Sequence, residues 1–300
     1  MPLNQHNAMY INPLYALGIS AVSGVLEVTV FHSIDTVSRR IQVSEQPIYK
    51  FDMKFTENIR RLECILLRDS NQGLSSAFSS LYRGYFFSVA YKVIQRTYQF
   101  GGQPIVRAQL ETKTGAHLRT YLGEKAGSTA TEAMAGAVMG FAEVSLLHID
   151  RLKIKLQTQS ELWRLGIFKS LAGEWPHYFR GAGITLARNI PGSSLLFGVS
   201  SAMREHVFHA KSFKEATLTQ TAISSLIGAM ASIIFTSPMD VVRTRVLSGK
   251  TVSAVSMFRK IAKEEGGQAF FKGITTKIGS AGPKLAFAMT TAQTLYRYLT

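Results

Sequence analysis

Residues Phe235–Val246 read FTSPMDVVRTRV, where a proline, an acid and two arginines follow a long apolar run. Two earlier stretches also place an acid and bases at the end of an apolar run: FHSIDTVSRR, Phe31–Arg40, and LLHIDRLKIKLQ, Leu146–Gln157. Their acids lie 115 and then 90 residues apart. They are Asp35, Asp150 and Asp240. A pattern that returns at such a spacing indicates an internal repeat.

A second motif, aromatic–basic–glycine, follows each acid and opens another apolar segment. Its copies are Tyr82-Arg83-Gly84, Phe179-Arg180-Gly181 and Phe271-Lys272-Gly273. One such tripeptide is uninformative, but three copies, each after an acid, are hard to obtain by chance. The two motifs together predict a single domain of residues 1–300 with three repeats, over residues 12–105, 125–213 and 216–300.

The apolar segments predict membrane spans. Residues 218–239 form 22 residues without a charge, which is enough to cross about 30 Å of hydrocarbon. Five further segments include charged residues: 12–34, 85–100, 129–149, 184–203 and 274–295. Backbone polar groups in lipid need internal partners, so we expect helices. The fold class is therefore an all-α membrane protein with six transmembrane helices in three pseudo-symmetric pairs; six buried helices of a soluble all-α protein are the alternative.

The charge balance indicates anionic partners. The chain has 34 Lys and Arg against 19 Asp and Glu, a net charge of +15, although only 18% of its residues are charged. Such an excess suits anionic lipid, a polyanionic solute or nucleic acid, so a soluble nucleic-acid-binding protein is a further alternative. The start, MPLNQHNAMY, predicts no secretory signal or arginine-rich presequence. No hydrolytic constellation, phosphate-binding glycine loop or metal site appears, so we expect no enzyme.

The third copy matches a known family motif. Pro238, Asp240 and Arg243 have the spacing Pro-x-Asp-x-x-Arg, which resembles the mitochondrial carrier family. In the second copy, which keeps the acid and Lys153, His148 replaces the proline. In the first copy Ser33 replaces the proline and Ser38 the base. The resemblance covers about residues 12–297.

Four stretches are similar to the guanine-nucleotide branch of that family, the fungal GTP/GDP carriers: YKVIQRTYQFGGQP (91–104), RLKIKLQT (151–158), ARNIPGSSLLFG (187–198) and GPKLAF (282–287). The resemblance implies a monomeric, multi-pass protein of the mitochondrial inner membrane that exchanges GTP and GDP by alternating access. It also implies short amphipathic helices on the matrix side, structural cardiolipin, and no other cofactor or nucleic acid. A same-fold carrier of another anion, and a divergent carrier that no longer transports, remain alternatives.

The family pattern implies a gate on the matrix side, in which each acid pairs with a base of the next odd-numbered helix. The expected pairs are Asp35–Lys153 and Asp150–Arg243; Asp240 would meet position 38, where Arg39 or Arg40 could supply the missing base. The predicted gate residues are Asp35, Asp150, Lys153, Asp240, Arg243, Gln42 and Gln157. The alternative is a set of ordinary interfacial charges that reach to water.

The even-numbered helices have polar residues at the depth where the resemblance implies solute binding. These candidates are Lys92, Gln95, Arg96, Arg188, Asn189 and Lys284, with Tyr91 available to stack on a base. Pairing of Lys92 and Arg96 with Glu27, Glu132 or Glu143 is the alternative. The aromatic–basic–glycine motifs imply cardiolipin sites at Arg83, Gly84, Arg180, Gly181, Lys272 and Gly273, or simple interfacial anchoring. The acids of the family's outer gate are missing near residues 201–204 and 293–297.

Overall fold

The computed structural model describes residues 13–45, 54–66, 74–159, 179, 181–210, 216–249 and 253–299. These residues form helices and turns, and no strand occurs among them, so the predicted all-α fold is confirmed. The α-helices are α1 Pro13–Val43, α2 Phe55–Leu66, α3 Leu74–Leu81, α4 Tyr85–Leu110, α5 Ala116–Leu122, α6 Glu124–Ala142, α7 Leu147–Thr158, α8 Ala182–Ala202, α9 Leu218–Ser248, α10 Ala254–Glu264 and α11 Ile274–Leu299.

Six long helical stretches account for the six predicted apolar segments. They are α1, α4, α6 with α7, α8, α9 and α11. Within the described part of the chain, Glu124–Thr158 and Leu218–Ser248 are the two stretches that are long and apolar enough by themselves to cross a membrane. The other four include charged residues, several of which form ion pairs inside the bundle.

Short turns of other helix types interrupt one of the long helical stretches and extend two others. A turn of 3₁₀-helix, Glu143–Leu146, joins α6 to α7, one turn before the histidine that replaces the motif proline. In contrast, α1 is continuous through Ser33, and α9 continues through Pro238. Turns of π-helix, Glu111–Gly115 and Met203–Val207, extend α4 and α8. The helix of the second repeat is therefore interrupted by a 3₁₀ turn near the position where His148 replaces the proline.

The short helices follow two of the odd-numbered long helices. α2 and α3 follow α1, and α10 follows α9, in agreement with the short helices that the resemblance implies. Met257 and Ile261 on α10 pack with Val242 of α9 and Phe270. The corresponding segment after α7, residues 160–173, lies outside the described residues.

Small residues let α8 pack closely against its neighbours. A Cβ atom on Gly136 or Gly140 of α6 would lie within 3.0 Å of the α8 backbone. A Cβ atom on Gly228 of α9 would meet Leu196 O of α8 just as closely. In lipid, helices associate through such close backbone approach, because apolar side chains gain nothing by leaving the hydrocarbon.

The three motif glycines show a cyclic arrangement. Gly84, Gly181 and Gly273 precede α4, α8 and α11 with φ of 77°, 85° and 79°, a region that residues with a Cβ rarely adopt. Each glycine packs on the C-terminal part of a long helix of the next pair: Gly84 on α7, Gly181 on α9 and Gly273 on α1. The contacts are with Leu156, Leu247 and Ser38, respectively. The three helix pairs therefore follow one another around a closed ring.

Candidate functional site

The three motif acids lie where the C-terminal part of α1, the first turn of α7 and the C-terminal part of α9 meet, which we call the charged end. Here Arg243 donates from Nη2 to Asp150 Oδ2, and the two side chains are only 5% and 3% exposed. Arg243 Nε also donates to Thr185 Oγ1 of α8 at 3.0 Å. The expected Asp150–Arg243 pair is therefore present.

The expected Asp35–Lys153 pair does not form. Asp35 accepts instead from Lys284 Nζ of α11, and the Lys153 ammonium lies 5.3 Å from the centroid of the Tyr91 ring. The physical reason is that α1 packs along α11, which brings a long lysine side chain to this carboxylate. Lys284, predicted to contact solute, thus joins α11 to α1.

Asp240 is paired with bases from α8 and α11 rather than from α1. Arg188 Nε donates to Oδ1 at 2.7 Å, and Lys277 Nζ to Oδ2 at 2.5 Å. Arg39 donates to Thr244 Oγ1 at 2.8 Å, and Arg40 Nε to Gln157 O at 3.1 Å. Neither arginine forms an ion pair with Asp240, although the charge of Arg39 interacts electrostatically with that carboxylate.

The two predicted gate glutamines connect α1 with α9 and with α7, beyond the acids. Thr244 Oγ1 of α9 donates to Gln42 Oε1 at 2.9 Å, and Gln157 Nε2 of α7 donates to Thr36 Oγ1 at 3.3 Å. Arg245 Nε also donates to Gln42 O at 2.9 Å. Gln42 and Gln157 thus belong to the contacts that close the charged end.

A second tier of buried bases was not predicted. Arg40 and Arg245 each follow a motif acid by five residues and donate to the backbone carbonyl of a residue that follows another motif acid by seven, Gln157 and Gln42. Arg40 and Arg245 are 2% and 4% exposed. Their shared offset from the acids is a signal in the sequence that could have identified them.

Lys272, predicted to bind lipid, is instead engaged with protein groups. Its Nζ donates to Ser44 O at 2.7 Å and to Glu265 Oε2 at 2.5 Å. Arg245 also donates to Glu265. Burial alone would raise the pKa of the Glu265 carboxyl, but the hydrogen bonds from Arg245 and Lys272 outweigh it and lower the pKa below its ordinary value. This cluster fastens the end of α1 to the third repeat.

The remaining lipid-motif residues are the motif glycines and two arginines. Gly84, Gly181 and Gly273 open helices whose first N–H groups can receive an anion. Arg83 is partly buried beside α1, with its backbone O 3.2 Å from His32 Nε2. Arg180 lies outside the described residues. Lipid binding by these residues stays a prediction.

Two interior carboxylates are each paired with two bases. Glu27 of α1 lies 2.8 Å from Lys92 Nζ and 2.6 Å from Arg96 Nη2 of α4. Asp240 is paired with Arg188 and Lys277. The alternative considered for Lys92 and Arg96, pairing with a buried carboxylate, is therefore what the structure has. With all side chains ionised, each cluster keeps a net charge of +1.

Of the polar candidates Gln95 and Asn189, the first bonds outside these clusters and the second bonds to Arg188 of the Asp240 cluster. Gln95 Nε2 donates to Glu143 Oε1 at 2.6 Å, and Tyr91 Oη donates to the same oxygen. Asn189 Oδ1 accepts from Arg188 Nη1 at 3.1 Å. No site role was predicted for Lys277 or Glu143, although a charged residue inside an apolar span is itself a functional signal.

The opposite end of the bundle has its own buried charges. Glu132 of α6 lies 3.1 Å from Arg107 Nη1 and 3.9 Å from Arg204 Nη2. Glu205 accepts from Ser128 Oγ at 2.7 Å. Glu132 thus places a carboxylate near Arg204 from the third long helix, whereas the acid position of the outer-gate motif, three residues before Arg204, is Ser201.

Comparisons with known proteins agree with this architecture. The family model described as Mitochondrial carrier protein matches residues 214–300. An uncharacterized mitochondrial carrier of Schizosaccharomyces pombe is 36% identical over 281 residues, 92% of this chain and 91% of its own length. Mitochondrial GTP/GDP carrier protein 1 of Saccharomyces cerevisiae is 36% identical over 282 residues, with the same coverage. Mitochondrial citrate transporter D of Aspergillus niger is 25% identical, over 90% of this chain and 88% of its own length.

Proposed function

Because the chain belongs to the mitochondrial carrier family, we propose that it is an antiporter that exchanges guanine nucleotides, GTP for GDP, by alternating access. The chain is a multi-pass protein of the mitochondrial inner membrane, in a family of transporters. Its similarity to a GTP/GDP carrier over nine-tenths of both chains supports the choice of solute.

The observation on which the proposal rests is the excess of bases over acids inside the bundle. Glu27 and Asp240 are each paired with two bases, so a polyphosphate finds cations that are only partly neutralised. Arginine can bind phosphate through two parallel hydrogen bonds, and lysine binds it as a point charge. The site therefore suits a solute with several phosphate oxygens.

Solute binding and opening of the charged end use the same groups. Arg188 and Lys277 join α8 and α11 to Asp240 of α9, and Lys284 joins α11 to Asp35 of α1. A phosphate that takes these bases releases the carboxylates, so the helices lose contacts between them. A buried ion pair is close to break-even against its desolvation, so exchanging a carboxylate for a phosphate changes the free energy little. A gate must cycle many times, and small free-energy differences allow this.

We further propose that the chain acts as a monomer and that cardiolipin phosphates bind at the helix starts after Gly84, Gly181 and Gly273. Lys272 would contribute only if it left Glu265. The aromatic residues of the three aromatic–basic–glycine motifs are exposed, and they would lie at the level of the lipid headgroups. They are Tyr82, Phe179 and Phe271.

The test is exchange by the purified protein in liposomes. Vesicles loaded with GDP are given labelled GTP, ATP, citrate or aspartate, and empty vesicles serve as the control. We expect GTP uptake that requires internal GDP. Uptake of citrate or aspartate without GTP would make the chain a carrier of another anion. No uptake of any solute by folded protein would leave a carrier-like protein that does not transport.

A further inference from the structure

The Glu143 carboxylate has one oxygen engaged and one available. Tyr91 Oη and Gln95 Nε2 both donate to Oε1, which fills the two lone pairs of that oxygen. Among the described residues, none donates to Oε2. The residue as a whole is 6% exposed. Glu143 is therefore held in place by α4, with a free acceptor inside the bundle.

Asn189 offers the complementary atom close by. Its side chain is 1% exposed, and its Nδ2 has no hydrogen-bond acceptor in the described part of the chain. Its Oδ1 is already used by Arg188 Nη1. α8 packs against the 3₁₀ turn that starts at Glu143, and Arg188 interacts electrostatically with Glu143. An unused acceptor and an unused donor thus lie beside a base that suits phosphate.

We propose that Glu143 and Asn189 read the edge of a guanine base, with Glu143 Oε2 accepting from the ring N1–H and the 2-amino group and Asn189 Nδ2 donating to O6. This inference rests on the proposed exchange of guanine nucleotides and names the residues that select the base. Guanine presents two donors side by side next to an acceptor. Adenine presents a bare N1 acceptor at the same place, so the carboxylate would face a lone pair.

Selection of this kind is strong because it depends on unmet hydrogen bonds. A site built around buried polar groups discriminates against an analogue that leaves those groups unpaired. Hypoxanthine keeps the N1–H and O6 but lacks the 2-amino group, so it should fall between guanine and adenine. A purely structural role, in which Glu143 only fixes Tyr91 and Gln95, would give no such order.

The experiment compares exchange of GTP, ITP and ATP by the wild type and by Glu143→Gln in liposomes. The matched control is Glu132→Gln, which removes the charge of another buried carboxylate on the same long helix. We expect Glu143→Gln to lower kcat/KM for GTP about 10- to 100-fold, the value of a hydrogen bond to a charged group, while ATP changes little. Glu132→Gln should change all three nucleotides by one common factor.

The outcomes separate this inference from the proposed function. If Glu143→Gln lowers kcat/KM for GTP, ITP and ATP by the same factor, or leaves the ratio of kcat/KM for GTP to that for ATP unchanged, the base-reading role is overturned. The proposed exchange of guanine nucleotides is not affected by that result. Failure of the wild type to transport GTP would overturn the proposed function itself. If Glu143→Gln does not fold, the wild type decides: GTP must raise its melting temperature more than ITP at equal concentration, and equal shifts would reject the proposal.

Discussion

Replacing Asp150 by asparagine should strongly destabilise the charged end. Arg243 donates to Asp150, and the two side chains are 5% and 3% exposed. The substitution leaves a buried guanidinium without its counter-charge, at a cost of about 3–5 kcal/mol. Thr185 Oγ1 remains as a partner for Arg243 Nε, but a hydroxyl does not neutralise a cation.

Neighbouring cations place the expected cost in the upper half of that range. Arg39 and Lys153 also interact electrostatically with Asp150. Without the carboxylate, these two cations and Arg243 would repel one another with nothing between them. We therefore expect the free energy of unfolding to fall by about 4–5 kcal/mol for Asp150→Asn.

A double-mutant cycle in mixed micelles measures the coupling. The free energy of unfolding is obtained by denaturant titration for Asp150→Asn, Arg243→Gln and the double variant. The double variant should be less destabilised than the sum of the single variants by at least about 2 kcal/mol, because it leaves no orphan charge. Glu45→Gln, which removes half of an exposed pair with Lys260, is the control and should have no measurable effect. Single costs that add within about 0.5 kcal/mol would refute the reasoning.

Three further predictions concern binding, pH and packing. Arg188→Ala should lower GTP exchange at least 100-fold without changing the melting temperature, because its carboxylate partner Asp240 keeps a second base. The control variant Arg259→Ala, on the exposed side of α10, should exchange GTP normally. Retained exchange in Arg188→Ala would remove Arg188 from the site. The pKa of Glu265 is lowered in the folded state, so its stabilisation is present above about pH 4.5 and disappears as the pH falls through the folded pKa; melting curves of the wild type and Glu265→Gln should converge there, and a constant difference down to pH 3 would contradict this. Gly140→Ala should cost about 1–3 kcal/mol by overpacking against α8, whereas Gly183→Ala, with open space around it, should be neutral or stabilising in the same unfolding assay.

Much of the fold could be predicted because its signals are local. Apolar runs gave the six long helices, and the glycine of each aromatic–basic–glycine motif lies where a positive φ begins a helix. The pair Asp150–Arg243 could be predicted because both residues repeat the same offset in a cyclic arrangement. The partner of Asp35 could not, because a lysine side chain on either of two neighbouring helices can reach it. Periodicity tells which face a residue occupies, but not which helix lies opposite that face.

The contacts that sequence reasoning misassigned change how the charged end can work. A ring of ion pairs made only by α1, α7 and α9 would be weakest at position 38, where the base is missing. Asp240 avoids this weakness, because Arg188 of α8 and Lys277 of α11 form ion pairs with it. Asp35 likewise forms an ion pair with Lys284 of α11. In the proposed transport cycle, a base cannot be fully paired with both its carboxylate and an incoming phosphate. Closure of this end and occupation of the site therefore exclude each other in part, which couples transport to solute binding without a separate signal between distant groups.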